Sequence, residues 1–82
     1  TSLARSLAKE VAPHGVTVNV IAPGVIVHRD SHVASQERMT PKVPLGRAGT
    51  VDDLLGAIDL LLGDAGAYVT GDVWTIDGGL AL

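Results

Sequence analysis

An 82-residue chain with a net charge of −3, six basic residues and no cysteine makes at most one small domain, without disulfides or thiolate metal sites. Its basic residues are neither clustered nor interleaved with aromatics, which argues against a nucleic-acid partner. No apolar run approaches the roughly 18 residues that would argue for a membrane span.

Hydrophobic residues make up 46% of the chain and aromatic ones 2%, with a mean hydropathy of +0.34. So much aliphatic surface exceeds what so small a volume buries, and it calls for neighbours, either further chain or a second copy. The lack of cysteine fits a reducing compartment, with cytoplasmic location the expectation. No signal peptide is visible, and the chain opens at Thr1 rather than methionine, so its start is expected to lie upstream.

The first element is an amphipathic helix from Thr1 to about Ala12. Leu3, Leu7 and Val11 recur at i, i+4 and i+8, with Ala4 and Ala8 beside them. Thr1 or Ser2 caps its start, Pro13 and Gly15 end it, and Arg5 and Lys9 occupy a solvated face. Val16 to Ala22 then reads as a strand, dense in β-branched residues and without strict alternation. That pattern belongs to a parallel sheet covered on both faces. Pro23 cannot donate a ladder hydrogen bond, so the strand is expected to stop there, and Gly24 permits a sharp turn. Ligands of open α/β sheets bind beyond the carboxyl ends of the strands, which places the site at Pro23, Gly24 and the residues after them. Asn19, inside the strand, reads as a buried amide tied to backbone groups.

Val25 to Gly49 shows no strong period and reads as a lid, a binding loop or a disordered segment. Val25, Ile26 and Val27 extend from the turn as an apolar wall. His28 and His32 have the i, i+4 spacing of a metal pair, but no third ligand accompanies them, and a loop-packing or solvated pair is the better reading. His28-Arg29-Asp30 matches a kinase catalytic loop by chance, since the downstream asparagine is missing. Pro41 to Gly49 is a connecting turn segment without a phosphate cradle. Thr50 and Asp53 have capping-box spacing and open a second helix, with Asp52 and Asp53 at the positive end of its dipole. Val51, Leu54, Leu55, Ile58, Leu61 and Leu62 form its wide apolar stripe, and Gly63 stops it. Val73 to Asp77 reads as a second strand closed by Gly78-Gly79. Trp74 within it is a packing or interface residue. Strand, connection, helix and strand make a βαβ unit, so the two strands should run parallel with a right-handed crossover.

In register along nearly the whole chain lie Leu3 to Glu10, Gly15 to Gly24, Pro44-Leu45-Gly46-Arg47, Asp52-Asp53, Tyr68-Val69-Thr70-Gly71 and Ile76-Asp77-Gly78-Gly79. With these motifs the sequence resembles the C-terminal part of a short-chain dehydrogenase/reductase. The resemblance implies an α/β fold, the C-terminal portion of a Rossmann-like, doubly wound parallel sheet, with residues 1–82 forming a single partial domain. It also implies an NAD(P)-dependent oxidoreductase that moves hydride between NAD or NADP and a small-molecule alcohol/carbonyl substrate. By position, Pro23, Gly24, Val25 and Ile26 would contact the nicotinamide carboxamide, Ile26 through its main chain. His28 stands where the family often has a threonine. Residues 28 to about 42 would be the substrate loop.

The family's glycine-rich phosphate turn, Asn-Ala-Gly segment, catalytic serine and Tyr-x-x-x-Lys pair are absent. No catalytic residue is therefore assigned, and the chain is expected to be inactive alone and to bind cofactor weakly or not at all. The alternative is a non-enzymatic remnant that folds by self-association. In either case the open edge of the first strand favours a homo-oligomer.

Overall fold

The computed structural model describes residues 1–27 and 33–82. Helix α1 spans Ser2–Val11, and Thr1 caps it through an Oγ1 that accepts the Ala4 N–H at 3.1 Å. A 3₁₀ turn, Ala12–His14, follows, and Gly15 at φ +74° releases the chain toward the sheet. Strand β1 is Val20–Pro23 and strand β4 is Val73–Ile76. They pair in parallel, with Val20 opposite Val73, Ile21 opposite Trp74 and Pro23 opposite Ile76. Between them lie β2 (Ile26–Val27), α2 (Val33–Met39), β3 (Gly49–Thr50) and α3 (Val51–Leu62). The short β2 and β3 pair in parallel as a second ladder. The α/β class and the parallel strands agree with the sequence reading.

Two boundaries of the first strand differ from that reading. Its ladder begins at Val20, not Val16, because the facing segment bends away at Gly71, whose φ is +75°. Val18 is held there by other means. Its N–H donates to Thr70 Oγ1 at 3.0 Å, and its carbonyl accepts the Gly71 N–H at 2.7 Å. At the other end Pro23 lies inside the strand. The Val20 and Gly24 N–H groups both point to β4, donating to the Asp72 and Ile76 carbonyls at 2.9 and 3.2 Å. By the two-residue period, the missing N–H of Pro23 falls on the outer edge, where no ladder bond is lost.

The segment between Val25 and Gly49 is also more regular than its sequence suggests. Helix α2 occupies Val33–Met39 and passes into a 3₁₀ turn, Thr40–Lys42, in which the Thr40 hydroxyl donates to the Gln36 carbonyl at 2.7 Å. Seven residues are too few to show a helical period, and Pro41 ends the α-helical run.

Asn19 is used as an amide on both sides. Nδ2 donates to the Val69 carbonyl at 3.0 Å and Oδ1 accepts the Asp72 N–H at 3.2 Å, tying the entry of β1 to the entry of β4. Little of the aliphatic material is enclosed. Among the described residues only Ala8 and Val43 are buried apolar side chains. On α3, Leu54, Ile58 and Leu61 are half-buried, while Val51, Leu55 and Leu62 along the neighbouring line are exposed. On α1, Leu3 is 80% exposed. The radius of gyration is 15.0 Å, against about 12 Å for a compact chain of this length. Among the described residues, the sheet edge and two helix faces are thus presented without partners.

Candidate functional site

The carboxyl ends of β1 and β4 meet the turn formed by Pro23 and Gly24. Pro23 is exposed and Gly24 is half-buried. A crevice of about 130 Å³ opens beside them, lined by Val25, Ile26, Leu45, Ile76, Asp77 and Gly78, with Arg47, Gly49 and Asp53 at its α3 end. Val25 is fixed by its carbonyl, which accepts the Gly49 N–H at 2.7 Å, and Ile26 stands opposite Gly49 in the β2–β3 ladder. Gly49 packs closely on this wall: a Cβ there would come within 2.9 Å of Ile26 Cδ1, so the Ile26 side chain would have to shift. Of the four residues expected here, Val25 and Ile26 line the crevice, while Pro23 and Gly24 lie just before them in the chain and are not among its lining residues. His28 and the His28–His32 pair lie outside the described residues. Ligand pockets for drug-sized molecules enclose roughly 300–1,000 Å³. This crevice is the size of a wall and not of a whole site.

Sequence reasoning assigned Asp53 to helix capping alone and treated Arg47 as part of a turn. In the fold they form a forked ion pair. Arg47 Nη1 and Nη2 donate to Asp53 Oδ2 and Oδ1 at 2.8 and 3.0 Å. The Thr50 N–H donates to the same Oδ2 at 2.7 Å, which completes the carboxylate half of the capping box. The hydrogen bond from Arg47 and, after it, that from the Thr50 backbone hold the Asp53 carboxyl far below the usual carboxylate range, and Asp53 in turn raises the Arg47 guanidinium. The arginine's charge is thereby committed to positioning the start of α3.

A depressed carboxylate contributes its full stabilisation at pH above its unfolded value, about 4, and that contribution declines as pH falls from there and is gone below the lower folded value. Carbon-detected titration of Asp53 should therefore show it ionised at pH 3. Arg47→Ala should bring its midpoint up toward the ordinary range. An unchanged midpoint would remove the guanidinium as the cause.

Asp77 is the second residue that the sequence reading left as a strand end. Its Oδ1 accepts the Gly79 N–H and its Oδ2 the Ala81 N–H, both at 2.9 Å. Gly78 at φ +64° and Gly79 at φ +93° complete the turn. A larger, shallower groove of about 610 Å³ runs between α1 and Thr70-Gly71, with Ser2, Arg5, Ser6 and Lys9 on its rim. It lies at the amino ends of the two strands, away from the end at which open α/β sheets bind ligands. Among the described residues no group of three His, Asp or Glu side chains is arranged to hold a metal ion, and no helix is long and apolar enough to cross a membrane.

Comparison with known proteins places this geometry. The family model described as enoyl-(acyl carrier protein) reductase matches residues 1–81. The chain belongs to the short-chain dehydrogenase/reductase family. Among curated relatives of this reductase family, the L-rhamnose 1-dehydrogenase (NAD(P)(+)) of Azotobacter vinelandii is 43% identical over 96% of the chain and 33% of its own length. The 3-oxoacyl-[acyl-carrier-protein] reductase of Haemophilus influenzae is 42% identical over 95% of the chain and 34% of its length. Among solved structures, a blue fluorescent protein from a metagenomic library, in complex with NADPH, superposes with a TM-score of 0.86 at 32% identity, over 99% of the chain and 34% of that protein. A Serratia marcescens short-chain dehydrogenase/reductase variant, F98A/F202L, gives a TM-score of 0.87 at 26% identity and the same coverage. The chain thus spans about a third of the length of these relatives, and its parallel β1–β4 pair is a portion of their Rossmann-type sheet.

Proposed function

We propose that this chain supplies one wall of a nicotinamide-cofactor site in an oxidoreductase acting on a small-molecule alcohol/carbonyl pair. The observation that carries the reading is the Pro23–Gly24 turn at the carboxyl ends of two parallel strands, continued by Val25 and Ile26 along a crevice. The apolar side chains of Val25 and Ile26 suit the face of a nicotinamide ring. The main chain from Pro23 to Ile26, with His28 beyond, suits its carboxamide. NAD or NADP would supply the hydride-carrying ring. The groups that would hold its phosphates and move the substrate proton are not among the described residues, where Arg47 is already paired with Asp53. An NADPH-bound structural neighbour and a relative named for NAD(P)(+) support the choice of cofactor.

A wall without a phosphate cradle binds weakly, with a dissociation constant of about 1 mM, or about 4 kcal/mol of binding free energy. Titrating NADPH into the isotopically labelled chain should move the amide resonances of Gly24, Val25, Ile26 and Val27 and leave those at the α1 groove in place. Neither oxidation of an alcohol with NADP+ nor reduction of a carbonyl with NADPH should be seen at any cofactor concentration. Shifts confined to the α1 groove, or none at 10 mM (an order of magnitude above that constant), would overturn the site. Turnover by the chain alone would overturn its expected inactivity.

The second reading is a self-associating module. The outer edge of β1, which has no strand partner among the described residues, and the exposed Leu3, Leu7, Leu55 and Leu62 favour it. A homo-oligomer follows from the same surfaces under either reading.

A further inference from the structure

We infer that the Asp77-Gly78-Gly79 turn is the positioning element that locks the cofactor-side turn at Pro23–Gly24 to the base of the segment carrying α2. The inference rests on the proposed site for its functional meaning, but its geometry stands apart from any ligand.

One side of the turn holds Gly24. Its N–H donates to the Ile76 carbonyl at 3.2 Å, and its Cα hydrogens face Asp77 so closely that a Cβ would lie 2.7 Å from Asp77 Cβ and 2.8 Å from Asp77 Cα. The other side holds residues 43–45. The Gly78 carbonyl accepts the Leu45 N–H at 3.0 Å. A Cβ on Gly78 would lie 2.7 Å from Val43 Cγ1, and one on Gly79 would lie 3.0 Å from Pro44 Cγ. Val43 is one of the two buried apolar side chains, and its N–H donates to the Thr40 carbonyl at 3.0 Å. Through Thr40 the contact reaches Gln36 on α2.

The two glycines of the turn have positive φ and no side chain of their own to set it. What sets it is the Asp77 carboxylate, which accepts the Gly79 and Ala81 N–H groups, one on each oxygen. Asp77 therefore fixes the shape of a turn against which both walls are packed at contact distance. Close-packed contacts of this kind transmit displacement instead of absorbing it. A change in the turn should be felt at Gly24 and at Leu45 together, although Asp77 hydrogen-bonds to neither.

Amide hydrogen exchange on the full chain without cofactor tests this. Asp77→Ala removes both acceptors, and Asp77→Asn keeps one. Exchange at Gly24 and Leu45 should accelerate together, about thirtyfold for alanine, which loses two bonds, and about fivefold for asparagine, which loses one, each hydrogen bond being worth about 1 kcal/mol and 1.4 kcal/mol being tenfold. Amides of α3 from Ile58 to Leu62 should keep their rates. Acceleration confined to Gly79 and Ala81 would overturn the coupling. So would a uniform loss of protection that includes α3, which is what a general stability residue produces. Adding NADPH separates the two claims. If Gly24 and Leu45 respond together to Asp77 but neither responds to the cofactor, the coupling stands and the cofactor reading falls.

Discussion

Replacing Gly24 by alanine should destabilise the chain by about 1–3 kcal/mol, the usual cost of forcing an extra methyl into a filled space. The new Cβ would meet Asp77 Cβ at 2.7 Å, Asp77 Cα at 2.8 Å and the Asp77 carbonyl at 3.2 Å. No side-chain rotation relieves those contacts, because all three atoms belong to or adjoin the backbone. The turn must open or the β4 end must retreat, and either movement breaks the Gly24 N–H bond to the Ile76 carbonyl. Gly46→Ala is the matched control. Nothing lies within 4 Å of its Cβ position, so only the positive φ of 81° is penalised, at about 1–2 kcal/mol. Denaturant unfolding of both variants should rank Gly24→Ala as the less stable. The cofactor-induced shifts at Gly24 to Val27 should vanish in Gly24→Ala and survive in Gly46→Ala. A Gly24→Ala chain as stable as its parent would show that the turn has room, and the tight junction with Asp77 would be wrong.

The elements with a long period were legible. The α1 and α3 stripes follow from spacing because each repeats one requirement several times, and the Thr50–Asp53 box and the parallel βαβ order follow from local residue type and element order. The start of β1 was not legible, since β-branched residues continue back to Val16 whether or not a partner strand is there. The partner turns away at Gly71, which lies 55 residues later. The extent of β1 through Pro23 depends on which edge its missing N–H faces, and register sets that. Helix α2 carries too few residues for a period.

At the site, the Pro23-Gly24 step was legible because proline removes a backbone donor and glycine admits a close neighbour, which any sequence displays, although the strand runs through Pro23 and does not stop before it. Arg47 and Asp77 were not, because their roles come from partners brought near by folding. For Arg47 a signal existed: a basic residue six positions before a cap carboxylate, across a Gly-containing turn, is close enough to fork onto it. For Asp77 the following Gly78-Gly79 was the signal, since an aspartate before two glycines commonly accepts N–H groups of the turn it opens.

The chain on its own should associate, and the outer edge of β1 should be where it does so. Val20 and Gly24 spend their N–H groups on β4, and the alternation sends the Ile21 N–H outward. Pro23 offers no donor on that side, so Ile21 is the donor at the centre of the edge. Strand pairing there would bring the exposed Leu3 and Leu7 of α1, and Val16, within reach of apolar surface on the second copy. Sedimentation velocity should show species heavier than the 8.4 kDa monomer, with a share that grows with concentration. N-methylation of Ile21 in a chain assembled by ligation leaves every side chain and every bond to β4 in place. It removes one donor worth about 1 kcal/mol and adds a methyl in the path of the incoming strand. The association constant should fall at least tenfold, or about 1.4 kcal/mol. If association is unchanged by N-methylation but lost in Leu3→Asp, the helix face and not the strand edge holds the copies together. A monomer at every concentration would mean that neither surface is adhesive, and that the exposed aliphatic faces are tolerated in water as they stand.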